Sequence, residues 1–246
     1  MADEREQAVH RVLVVAAHPD DVDFGSAGTI ATWADDGLEV SYCIVTDGDA
    51  GGIDPDVPRS AVGGIRRDEQ RKAAATLGVT DVEFLGYPDG RLMVSLELRR
   101  DLTRVIRQRR PDRMMIPSPH RDLRNVYVSH PDHQAAGEAA LCAVYPDARN
   151  PFAHPELLTE EGLEAHTVPE VWVVSLRDRA DYRANHYVDI TDTFDRKIAA
   201  LRAHTSQTAH MTGLEERIRA WGSRQAQAAG LPAGRLAEGY LVLDTR

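Results

Sequence analysis

Unbroken apolar runs alternate with mixed segments along the first 145 residues. RVLVVAA, residues 11–17, is continuous and rich in β-branched side chains. Such a run suits a strand covered on both faces of a parallel sheet. Residues 25–36 read as a helix stopped by Gly37 and 39–46 as a second strand. Residues 47–64 are dense in Gly, Pro and Asp and read as a long loop, more often functional than decorative at that length. A helix is predicted over 65–78, a strand over 82–86 with the turn YPDG behind it, and an amphipathic helix over 95–110 stopped by Pro111. A short strand (113–117) and another helix (130–145) follow. Strand and helix in alternation mean stacked βαβ units around a parallel sheet.

The remainder is less regular. Residues 146–170 carry four prolines and read mostly as loop. Strands are expected over 170–176, 186–190 and 239–244, and helices over 192–204 and 212–229. The pattern favours one α/β domain over 1–246, with a core at about 10–145 and a C-terminal extension over 146–246.

Composition narrows the function. The 29 basic and 39 acidic residues leave a net charge of −10. This argues against a nucleic-acid binder, which carries a basic footprint, and against attraction to an anionic membrane. No run is long enough for a membrane span, and the N-terminus lacks the pattern of a secretory signal, so a cytoplasmic protein is expected. Cys43 and Cys142 cannot build a disulfide framework and are expected to be buried thiols. Only Lys72 and Lys197 are lysines among the 29 basic residues; Arg has GC-rich codons, which points to a high-GC bacterial source.

The chemistry sits at two strand-to-helix junctions. The first strand runs straight into His18-Pro19-Asp20-Asp21. In an open α/β sheet, ligands bind outside the carboxyl ends of the strands. The plainer use of two such aspartates is to cap the following helix. A second cluster, His130-Pro131-Asp132-His133, opens the helix after the fourth strand. If both junctions share one sheet edge, they supply His, His and carboxylate, the ligand set of a catalytic zinc with a position left for water. Gly48, Gly51 and Gly52 suggest a phosphate cradle, but no strand–GxGxxG–helix or GxxxxGK[ST] pattern is present. Trp33 and Trp172 read as core and Trp221 as core or substrate platform, while His120 and His186 could border the site.

AHPDD (17–21), GSAGTIA (25–31), TDGDAGG (46–52), RRDE (66–69), LGYPDG (85–90), HPDH (130–133) and TDTFDRKIAALRAHTSQ (191–207) together resemble the PIG-L/LmbE family of zinc-dependent N-deacetylases. The resemblance spans nearly the whole chain. It implies a Rossmann-like fold, mostly parallel with helices on both faces, and one Zn²⁺ per chain held by His18, Asp21 and His133. It further implies that Asp20 is the general base for the attacking water. His130 would be the acid and oxyanion stabiliser, with Asp132 orienting it and raising its pKa. Arg66 and Asp89 match positions that hold substrate hydroxyl groups. Two departures stand out. Many members read HPDDE, whereas here Val22 follows and Asp23 comes next, so a carboxylate is lost or displaced by one position. Some place a Tyr where this chain has Val128, with Tyr127 one residue further back. Either Tyr127 reaches in, or zinc and His130 hold the oxyanion alone.

The expected function is removal of an N-acyl group, acetyl above all, from a small amino-sugar substrate. An amidase acting on a larger thiol conjugate of the mycothiol type is the nearest alternative, and a non-catalytic metal- or carbohydrate-binding protein the next. The oligomeric state, a homo-oligomer included, stays open.

Overall fold

In the computed structural model, which describes residues 9–52, 54, 56–123, 126, 129–174 and 183–246, the apolar runs become strands of one sheet. These are β1 (Arg11–Ala16), β2 (Glu39–Thr46), β3 (Asp81–Tyr87), β4 (Arg113–Ile116), β5 (Glu170–Val174), β6 (His186–Asp189) and β7 (Ala237–Asp244). Their order is β3-β2-β1-β4-β5-β7-β6. The first five in that order are parallel, and β7 pairs antiparallel with β5 and β6. The fold is therefore α/β and mostly parallel, and the C-terminal strands extend the same sheet.

Helices α1 (Asp21–Asp35) and α2 (Arg59–Thr76) cover one face, and α3 (Leu96–Arg109) and α4 (Pro131–Cys142) the other. Side chains alternate across a strand, so β1 splits between two cores. Leu13, Val15 and Ala17 pack with Leu98 and Leu102 of α3 and Ala136 and Ala139 of α4. Val12, Val14 and Ala16 pack with Ala27 and Ile30 of α1 and Ala73 and Ala74 of α2. Burial on both faces is why the run has no polar interruption. After α4 come a π-helical turn, Ala143–Ala148, and α5 (Pro155–Thr159), which lies in the proline-rich stretch. α6 (Phe194–Ala203), α7 (Thr205–Thr208) and α8 (Leu214–Ala228) follow. Glu238 on β7 ties this part to α1. Its carboxylate accepts the N–H groups of Gly28 and Thr29 and pairs with Lys197 Nζ at 2.6 Å, all buried.

Three expectations need correction. α1 begins four residues before 25, because the HPDD turn feeds directly into it. α2 begins at Arg59, inside the segment expected to be loop. The breakers Gly63 and Gly64 sit in its first turns, and a Cβ at Gly63 would lie 3.2 Å from Asp47 Cβ. That glycine serves close packing rather than a turn. Cys43 is buried, but Cys142 is partly exposed at the end of α4. Among the described residues, no helix is long and apolar enough to cross a membrane.

Candidate functional site

β1 and β4 are neighbours, but β2 and β3 lie on one side of β1 while β4 and β5 lie on the other. This is a topological switch point, where loops leaving the strand ends part and open a crevice. The turn after β1 brings His18, Asp20 and Asp21 there. The N-terminus of α4 brings His130, Asp132 and His133. His18 Nδ1 lies 3.2 Å from His133 Nε2 and 3.4 Å from Asp21, and His133 Nε2 lies 2.9 Å from Asp21. Metal–ligand bonds of ~2.0–2.1 Å at tetrahedral angles place ligand atoms about 3.3 Å apart. Two imidazole nitrogens and the Asp21 carboxylate, at about that spacing, fit one small divalent cation. A second group, His18, Asp89 and His130, also converges. It shares His18, and His18 Nε2, 3.2 Å from Asp89, is also 3.2 Å from Asp132.

Asp132 corrects an expectation. Its carboxylate is fully buried, accepts the N–H groups of Gly90 and Leu92, and turns to His18 rather than to His130. Burial resists charge on His18, but Asp21, Asp132 and Asp89 outweigh it and push its pKa up to about 12. Burial likewise opposes charge on Asp21, yet the two histidines hold its carboxyl well below the ordinary range. The cluster is thus arranged to keep positive charge among carboxylates. His130 stands edge-on to His18, ring centroids 4.7 Å apart. Its Nδ1 accepts the backbone N–H of Asp132 at 3.2 Å, which leaves the ring proton on Nε2. Burial and the charge of His18 lower its pKa, so the raised value expected from Asp132 does not arise.

Asp20 is not a helix cap. It occupies the N-cap position of α1 with φ 93°, and its side chain makes no capping bond. A non-glycine residue held there costs about 1–3 kcal/mol and persists only where its surroundings impose it. Arg66 donates to Pro19 O at 2.6 Å and to Asp20 Oδ2 at 3.1 Å, and Gln70 Oε1 accepts the Asp20 N–H at 2.8 Å. Burial raises the Asp20 carboxyl to about 6 against the pull of Arg66. Gly48 and Gly51 of TDGDAGG make room for that arginine. A Cβ at Gly48 or Gly51 would stand 2.5 or 2.3 Å from Arg66 Nη1. They form a guanidinium slot rather than a phosphate cradle. Arg66 and Asp89, expected to hold substrate hydroxyls, are 4% and 7% exposed and lie beneath the site, where Asp89 meets His18 and the Ala50 N–H. Tyr127 and Val128 lie outside the described residues.

A cleft of about 1070 Å³ opens over Asp20, Asp21, His18, His130 and His133 and runs to α8. Leu214, Arg217, Ile218, Trp221, Arg224 and Gln225 form its far wall. Their spacing of three and four residues is one face of a helix. That face was readable from the sequence, but nothing local says that it meets the β1 junction. His120 borders the cleft, whereas His186, on the edge strand β6, packs on Trp172, ring centroids 4.7 Å apart. Trp33 and Trp172 are core, and Trp221 lines the cleft.

The profile described as PIG-L: GlcNAc-PI de-N-acetylase matches residues 13–144. The diacetylchitobiose deacetylase of Thermococcus kodakarensis is 33% identical over 199 residues, covering 81% of this chain and 70% of that protein. A probable N-acetyl-alpha-D-glucosaminyl L-malate deacetylase 2 of Bacillus cereus is 30% identical over 207 residues, covering 81% and 84%. The solved structure of N,N'-diacetylchitobiose deacetylase from Pyrococcus horikoshii, in complex with its inhibitor MPG, superposes with a TM-score of 0.88 at 30% identity. The match covers 98% of this chain and 86% of that one.

Proposed function

This chain belongs to the PIG-L family, and we propose that it hydrolyses the N-acetyl group of an amino-sugar substrate with a divalent metal ion, zinc by its donor set, held by His18, Asp21 and His133. The observation that carries the reading is a carboxylate not needed for coordination, Asp20, on the same cleft wall as a three-ligand cluster. A cation at that cluster supplies Lewis acidity to the attacking water and the acetyl carbonyl. Asp20, with a pKa of about 6, is ionised at neutral pH and accepts a proton from the water as its oxygen bonds to the carbonyl carbon. His130, neutral and carrying its proton on Nε2, donates a hydrogen bond to the carbonyl oxygen as negative charge grows there. Asp20 then gives its proton to the nitrogen as the C–N bond breaks, leaving a free amine and acetic acid, which ionises in water. Asp132 holds His18 through the nitrogen that points away from the cluster, a common arrangement for ligating histidines.

The cleft extends from the cluster to Trp221 on α8, so the substrate we propose is an N-acetylglucosaminide with a further group beyond the sugar. That length also admits the amidase reading, in which the amide belongs to a larger thiol conjugate. The test is amine release from N-acetylglucosamine, diacetylchitobiose, N-acetylglucosaminyl inositol and an acylated thiol conjugate, with metal content measured on the same sample. Release from the glycosides supports deacetylation, release from the conjugate alone favours the amidase, and no release with metal bound leaves a binding protein.

A further inference from the structure

We infer that Gln70, Asp23 and His204 form a buried clamp that sets the position of Asp20; this rests on Asp20 being the base of the proposed reaction. The three residues come from α2, α1 and the junction between α6 and α7, and all are fully buried. Gln70 Oε1 accepts the backbone N–H of Asp20 at 2.8 Å. Gln70 Nε2 donates to Asp23 Oδ2 at 2.8 Å, and His204 Nε2 meets the same oxygen at 2.8 Å. An amide has one acceptor end and one donor end. Asp23 accepts from the Nε2 end, so the Oε1 end can face only one way, toward the Asp20 N–H. His204 in turn pins Asp23.

α7 closes the assembly. Ser206 donates through its N–H and hydroxyl to Glu69 at 2.7 Å each, and Gln207 donates to Gly51 O at 2.8 Å. Segments more than 130 residues apart in sequence thereby meet around one backbone amide. They surround a residue whose backbone is held at a positive φ. Arg66 holds the carboxylate and Gln70 the main chain, so Asp20 is fixed at both ends. The clamp also accounts for Val22-Asp23 in this chain. The carboxylate one position along faces inward between α2 and His204, while Val22 lines the cleft. These are positioning residues that touch neither substrate nor metal ligand.

Asp23 acts here as an acceptor for both neighbours. Asn keeps an oxygen for both Gln70 and His204, whereas Leu does not. Gln70→Leu and Asp23→Leu should each lower kcat by ~10²-fold, the scale of a misplaced catalytic group, with KM within about twofold and metal content unchanged. Asp23→Asn should recover at least tenfold of what Asp23→Leu loses, with the wild-type pH profile. In the metal-free protein, the Asp20 amide proton should exchange slowly in wild type and at least tenfold faster in Gln70→Leu. Gln70→Met serves in its place should the Leu variant not fold. Wild-type kcat in the Gln70 variant, unchanged exchange at Asp20, an Asp23→Asn variant as impaired as Asp23→Leu, or loss of activity that tracks loss of metal would each overturn the clamp. Asp20→Asn is assayed beside them. If it retains kcat the base assignment itself fails; if it is inactive while Gln70→Leu is not, the clamp alone fails.

Discussion

Asp132 Oδ2 lies 3.2 Å from Nε2 of His18, the nitrogen opposite the one that faces Asp21 and His133. The carboxylate of the second motif therefore steadies a residue of the first, 114 positions away. Removing such a partner typically weakens metal affinity by ~10–100-fold. Asp132→Ala should show that loss in competition against a chelator, with the α/β fold intact by circular dichroism. Wild-type affinity would leave the contact without a role in holding metal.

The pH profile separates the two proton-handling groups. In the proposed reaction Asp20 works ionised, and burial raises its carboxyl to about 6. kcat/KM should thus fall as pH drops, with a midpoint at or below about 6, since bound metal favours the charged form. Asp20→Asn should keep its metal and lose ~10²–10⁴-fold in kcat. Burial lowers the pKa of His130, and its Nδ1 is taken by the Asp132 N–H, so in the proposed reaction it acts as a neutral ring and is not lost as an acid at higher pH. His130→Ala should cut kcat by ~10²–10³-fold while any alkaline limb survives. A limb that disappears with His130 would make the imidazolium the acid after all.

In the proposed reading, Trp221 on α8 meets the group beyond the sugar. Trp221→Ala should raise KM for diacetylchitobiose by about tenfold, the effect of ~1.4 kcal/mol, with little change for N-acetylglucosamine alone. Equal effects on both substrates would place the group beyond the sugar elsewhere.

Lys197 and Glu238 form an ion pair that is 1% and 2% exposed. Removing one partner leaves a buried charge uncompensated, which costs ~3–5 kcal/mol. Lys197→Met should lower the melting temperature by roughly 10 °C, since ~1 kcal/mol shifts a chain of this size by ~2–4 °C. An unchanged melting temperature would mean that Glu238 takes up a proton at little cost.

Local pattern in the sequence determined the strands, the helices and the two His/Asp junctions. Each rests on spacing within a few residues: an unbroken apolar run for a strand buried on both faces, a Pro or Gly where a helix stops, a His and an Asp three apart. Parallel pairing of β1 and β4 then placed both junctions at one edge, as the βαβ alternation required. Only the tertiary structure decided which carboxylate serves which histidine. Asp132 is two residues from His130, yet it turns to His18 because the Gly90 and Leu92 amides hold it there. It also seated Arg66 in a slot beside Gly48 and Gly51, started α2 inside an apparent loop, and laid α8 along the cleft. Periodicity records which face of an element is covered. Side-chain direction across a packed interface depends on hydrogen-bond partners that arrive from elsewhere in the chain, and no short window of sequence contains them.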